Sequence, residues 1–241
     1  MRKFSIALSA VGALLMLGAA SAAQAAPRII VGADTHTVHP NATPACGNGC
    51  FNLYNLAFGP NEIQSANVPH DNGVGGKVGQ TINLRYATDS SPNEDFTGGY
   101  AGTVGELCPE GQLSPYICNT YGSSSIYGGN FPVYESNWAP YGNETDLCVG
   151  VRRPAYSGEN VTLQPCGLSG ATFWVADLQN SHIGYTPFLN GADTNYTHPL
   201  VLTVVPGWKT GLRLRVERLN LLSHGYIANE QMFALSFGIE L

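Results

Sequence analysis

The residues of this 241-residue chain with the clearest covalent chemistry are its six cysteines: Cys46, Cys50, Cys108, Cys118, Cys148 and Cys166. None of them forms a C-x-x-C pair, which argues against a thiolate metal site. An even cysteine count behind an export-type leader reads as disulfides. Six cysteines leave fifteen pairings open; proximity along the chain suggests Cys46–Cys50, Cys108–Cys118 and Cys148–Cys166. Closing the last of these loops would contribute roughly 3 kcal/mol in the chain-entropy view. Asp34, His36 and His39 in "DTHTVH" are of metal-binding types, but nothing helical fixes their spacing, and no metal is expected. Ser169 has no identifiable base, and G-x-S-x-G, H-E-x-x-H and P-loop patterns are lacking. The adjacent carboxylates Glu94 and Asp95 read as a turn or rim pair. Neither an enzyme nor a cofactor is expected.

Residues 1–25 have the form of a secretory signal: Arg2 and Lys3, an apolar run, then Ala23-Gln24-Ala25 as a small-x-small cleavage pattern. Cutting after Ala25 leaves 216 residues and removes two cations and no acid, so the net charge of −6 becomes −8. An acidic chain with few Lys or Arg clusters argues against nucleic acid or an anionic membrane as partner. No later run is apolar enough to be an integral membrane segment. A secreted, extracellular protein is the expectation. Only 12% of residues are charged, and Gly, Ser, Thr, Asn and Tyr carry the polar surface, as suits a loop-rich β protein.

The elements that would position side chains are short alternating runs. "LVLTV" sets Leu200, Leu202 and Val204 on one face, "LRLRV" sets Leu212, Leu214 and Val216 opposite Arg213 and Arg215, and Phe233, Leu235, Phe237, Ile239 and Leu241 alternate at the C-terminus. These are half-buried strands separated by Gly and Pro turns. A four-strand template starting near Phe131 and closing at Trp174 recurs upstream from Phe51 to Phe96 and downstream from Tyr185 to Phe233. Between the first two copies, residues 105–130 read as an inserted loop stapled by Cys108 and Cys118. Residues 26–50 read as an N-terminal arm.

With Cys148-Val149-Gly150-Val151, Val161-Thr162-Leu163-Gln164-Pro165-Cys166 and Thr172-Phe173-Trp174 in the middle copy, Gln231-Met232-Phe233 in the third and Glu94-Asp95-Phe96 in the first, the chain resembles the ricin-B-type β-trefoil. The resemblance covers about 51–241. It implies an all-β trefoil of about twelve strands in three pseudo-repeats, with Phe96, Trp174 and Phe233 plugging a shared core and Cys148–Cys166 joining the strands of a hairpin. It also implies carbohydrate binding, for which each copy needs an Asp two residues after its first Cys, plus a Gln or Asn near the closing aromatic.

In the middle copy those places hold Gly150, Thr162, Ala171 and Thr172. The third copy has Thr203 at the Asp position but retains Asn229 and Gln231; the first offers Ser65 or a neighbour, with Asn93 near its end. The candidate ligand-binding residues are therefore Asn93, Asn229, Gln231 and, in the loop "PGWKTG", Trp208. The function so implied is a secreted carbohydrate-binding-like module with degenerate pockets. The alternatives are a non-lectin trefoil that captures a protein partner, with the 105–130 segment as its presented loop, or a structural extracellular protein. Glycans or an extracellular protein are the partners in view.

Overall fold

The structure is a computed structural model and describes residues 51–58, 64–67, 76–86, 95–168, 170–192, 199–205 and 212–237. The expected Cys46–Cys50 bond, Asn93, Trp208, the 26–50 arm and the leader lie outside the described residues. The chain is mostly strand with few helices. In order come β1 (Phe51–Asn55), β2 (Gln64–Asn67), β3 (Asn83–Tyr86), β4 (Phe96–Thr103), α1 (Val104–Leu107), α2 (Pro115–Tyr121), β5 (Pro132–Trp138), β6 (Leu147–Gly150), β7 (Glu159–Asn160), β8 (Thr162–Pro165), β9 (Phe173–Ala176), β10 (Phe188–Asn190), β11 (Leu200–Val205), β12 (Leu212–Arg218) and β13 (Phe233–Phe237).

One curled sheet runs β2-β3-β12-β11-β10-β9-β5-β6-β8, with β4 on β5 and the two-residue β7 on β12. The described pairings are antiparallel, and β1 pairs with β13 from Phe51↔Phe237 to Asn55↔Phe233. The same kind of join links β4 to β5 and β9 to β10. The hairpins β2–β3, β6–β8 and β11–β12 supply the remaining long pairings.

Period-two alternation sorts the strand residues between two cores. Leu200, Leu202 and Val204 of β11, Leu214 and Val216 of β12, and Phe96, Trp138, Trp174 and Phe233 meet in the inner core. The three aromatics read as plugs are 1%, 4% and 1% exposed, and the Trp174 indole donates to Val149 O at 2.9 Å. The alternate residues Val133, Phe173, Val175, Leu189 and Val201 face outward into a second core, closed by Val104, Leu107, Leu113, Ile117 and Tyr121.

The 105–130 segment carries α1 and α2 and packs over this second core as a helical cover. Its helices start where side chains satisfy the free N–H groups. Thr103 Oγ1 accepts from Glu106 N at 3.2 Å while Glu106 Oε2 accepts from Thr103 N at 2.7 Å, a reciprocal capping box. Ser114 Oγ accepts from Ile117 N at 3.3 Å and Pro115 opens α2. The Cys108–Cys118 bond ties the two helices together. Removing this segment would strip an apolar sheet face of its cover. Cys148–Cys166 staples β6 to the end of β8, beside the Cys148↔Gln164 pair.

Candidate functional site

In the middle copy the positions where the resemblance places a sugar pocket are filled or spent. Gly150 ends β6, and a Cβ built there would lie 2.7 Å from Ala171 O and 2.9 Å from Thr172 Cγ2. No acid fits while that backbone stays in place. Thr162 is buried and accepts from Gln164 Nε2 at 2.8 Å, Ala171 is fully buried, and the Thr172 hydroxyl donates to Glu135 Oε1.

In the third copy Thr203 is buried and donates to Val201 O at 3.0 Å. Gln231 is only 3% exposed. Its amide oxygen accepts from Asn220 N at 2.7 Å, and its amide nitrogen donates to Thr203 Oγ1 at 3.1 Å and Arg218 O at 2.8 Å. An amide with both donors engaged internally holds the turn before β13. It has no donor left for a ligand. Asn229 opens that same turn and is exposed.

Sequence reasoning missed a matched pair of buried asparagines. Asn55 stands opposite Phe233 and Asn190 opposite Trp174. Asn55 Nδ2 donates to Glu230 O and Met232 O at 3.0 and 3.2 Å, and its Oδ1 accepts from Ala57 N. Asn190 Nδ2 donates to Ala171 O at 3.2 Å, and its Oδ1 accepts from Ala192 N. Each ties the end of its strand to the carbonyls preceding a core aromatic. The signal lay in "YN" and "LN" closing two of the template's first strands.

Two buried carboxyls were also missed. Asp177 is 2% exposed under the helical cover. It accepts from Asn180 Nδ2 at 2.6 Å, Gln179 N at 3.2 Å and the Tyr121 hydroxyl at 3.4 Å. Burial pushes its carboxyl above the usual carboxylate range, against the lowering effect of those bonds. Burial and the facing Asp177 likewise push the Tyr121 phenol far up. Glu159 is held by Arg152 N at 3.0 Å on one oxygen, its other oxygen is unpartnered, and burial raises it too. Among the described residues no group of three His, Cys, Asp or Glu side chains converges to hold a metal ion. A cavity of about 40 Å³ at one end of the inner core is lined by Leu53, Tyr134, Ser136, Val149, Trp174 and Phe188, among others. That is room for a few water molecules or a small apolar group.

Among the described residues, projecting apolar side chains gather at two adjacent turns. His182 and Tyr185 exchange backbone bonds of 2.8 and 2.9 Å. Ile183 and Gly184 between them have φ of 52° and 81°. Both central residues at positive φ is the type I′ arrangement, which normally selects Asn-Gly. The second turn is closed by Leu222 N to Tyr226 O at 2.7 Å and Gly225 N to Leu222 O at 2.9 Å, over the Leu221↔Ile227 bridge. The His182 and Tyr226 rings meet at 5.3 Å. Ile183 is 72% exposed, Leu221 60%, Leu222 48% and Tyr226 57%.

No family model matches the chain, and no curated protein matches it. Among solved structures it is similar to a mosquitocidal holotoxin at 14% identity and a TM-score of 0.45, over 78% of this chain. The match spans 17% of the toxin's length. What stands is an all-β protein with two disulfides among the described residues and no described helix long and apolar enough to cross a membrane.

Proposed function

We propose that the chain is a secreted, non-catalytic β-trefoil of the ricin-B type that serves as a binding scaffold and no longer uses the family's sugar pockets. Support for the trefoil comes from the thrice-used join of a closing strand to the next opening strand, β4–β5, β9–β10 and β13–β1. It comes also from a buried aromatic in the first two residues of each closing strand, Phe96, Trp174 and Phe233, all in the inner core. The observation that carries the functional reading is Gly150: a side chain there meets Ala171 O at 2.7 Å, so the best-preserved copy has no space for the acid that sugar hydroxyls require. Catalysis is not part of this reading; the Tyr121–Asp177 hydroxyl–carboxyl pair is buried at the helical cover, and the Ser157–Glu217 pair is an exposed surface hydrogen bond. Secretion agrees with the disulfides.

A second reading is shallow carbohydrate recognition at the third copy, favoured by the exposed Asn229, three residues from the exposed Tyr226. A glycan array probed with the mature protein separates the two. The scaffold reading expects no glycan retained above background. A glycan held by the wild type and released by Asn229→Ala would overturn it in favour of the second.

A further inference from the structure

Among the described residues, the two turns carrying Ile183 and Leu221, Leu222 and Tyr226 bring four exposed apolar residues together, whereas Val78 is exposed in another turn and Tyr100, on β4, meets the Tyr134 ring edge-on at 6.3 Å. Ile126 and Tyr156 are exposed in separate loops, and isolated exposure of that kind needs no explanation; Tyr141, at φ of 56°, has an internal reason for its backbone, since its N–H donates to the buried Asp95 Oδ2 at 2.7 Å. At the two turns the rings of His182 and Tyr226 join one turn to the other. The bases are fixed to the core: Thr186 exchanges backbone bonds of 2.7 and 3.0 Å with Phe233, Ser181 and Thr186 hydroxyls bond at 2.6 Å, and Ile227 and Ala228 are buried. The surface is therefore presented on a rigid support.

Ile183 is the informative residue. A β-branched side chain at φ of 52° is an outlier, since the left-handed region crowds its Cβ. Asn or Gly would serve the turn better. Among the described residues no internal contact accounts for the isoleucine, which is 72% exposed. Backbone strain kept where no internal contact uses it points outward, to something the side chain enters.

The chemistry of that partner follows from charge. Residues 178–192 and 219–229 contain no Asp, Glu, Lys or Arg, although the chain as a whole is acidic. The patch is formed by exposed side chains on two turns, so it suits a medium that yields around protruding side chains. A tyrosine beside aliphatic residues is the composition favoured at the boundary of a bilayer. We propose that these two turns dock the protein onto an uncharged lipid surface, with Ile183, Leu221 and Leu222 entering the acyl boundary and Tyr226 lying at headgroup level. The inference goes beyond the trefoil reading and does not depend on it, because it rests on two turns and not on the repeats.

The test is flotation of the full mature chain with vesicles of phosphatidylcholine alone, and with vesicles containing phosphatidylserine as well. The wild type is expected to float with phosphatidylcholine, with little change between low and high salt, because no ion pairs are involved. Ile183→Asn should lower partitioning about ten-fold, and Leu221→Asn with Leu222→Asn should bring it to background. Ile126→Asn, 91% exposed elsewhere, should leave it unchanged. Ile183→Asn relieves strain, so a loss of binding without a loss of melting temperature cannot be ascribed to misfolding. Failure of the wild type to float, or flotation only with phosphatidylserine, overturns the proposal. So does sedimentation showing that the lipid-free chain self-associates through these residues, which would give the surface to a second copy. A glycan-array result leaves each of these outcomes unaffected.

Discussion

Positions 150 and 183 each hold a residue that runs against local expectation. At 150 the resemblance asks for an acid and the chain supplies glycine. At 183 the turn asks for asparagine or glycine and the chain supplies isoleucine. The first departure is explained from inside: Ala171 O and Thr172 Cγ2 occupy the space a side chain would need. The second has no explanation among the described residues, since its side chain is 72% exposed and its backbone is strained. An absent side chain forced by packing is a statement about the fold. A present one that packing opposes is a statement about a partner.

The comparison can be broken most forcefully at Gly150. Gly150→Asp forces a carboxylate against a backbone carbonyl in a buried strand end, and should cost about 3 kcal/mol or more through overpacking and burial of an unpaired charge. Urea denaturation of the mature protein measures it. A stable Gly150→Asp variant that also acquires glycan binding would mean the pocket was merely empty, and the contrast with Ile183 would disappear.

Much of this arrangement was legible in the sequence, and the remainder was hidden for physical reasons. Strands such as β11 and β12 announce themselves because one face is apolar at period two, and Phe96, Trp174 and Phe233 stood out as large residues at matching places. The outer core was not legible, since Val133, Val175, Leu189 and Val201 read equally as interruptions in an inner-face pattern until a cover is known to lie over them. Helices α1 and α2 are too short to show a period. Their signals were the Thr103-x-x-Glu106 box and the Ser114-Pro115 start. Strand β7, two residues long, has no pattern at all. Gly150 was visible as a missing acid, but its cause, Ala171, is twenty-one positions away in sequence. Gln231 looked like a ligand-binding amide and is instead consumed by Asn220, Thr203 and Arg218. The strain at Ile183 resides in a φ angle that no periodicity encodes.

A smaller effect comes from Asp177, which belongs with Gly150 on the inward side of the comparison. Its folded-state carboxyl is raised by burial, so its contribution to stability is fully present below the ordinary carboxylate value of about 3.9 and is lost as pH rises through the raised value. Asp177→Asn removes this loss. Urea midpoints between about pH 4 and pH 7 should fall less steeply for the variant than for the wild type. Absolute stability is the poorer readout, because an asparagine amide cannot accept from both Asn180 and Tyr121 at the oxygen it replaces. Identical pH slopes would mean that the carboxyl is better solvated than its 2% exposure indicates.

The smallest effect is also the one that sharpens the contrast most. Ile183→Asn exchanges a β-branched residue for one that tolerates positive φ, and should stabilise the folded chain by about 1 kcal/mol, read as a higher urea midpoint. Ile183→Gly gains less, because glycine also loosens the unfolded chain. The order Asn above Gly above Ile would place the isoleucine among residues that lower stability where they stand, which is the mark of a surface kept for contact with something else. Were isoleucine the most stable of the three, its side chain would be packing internally, and positions 150 and 183 would teach the same lesson.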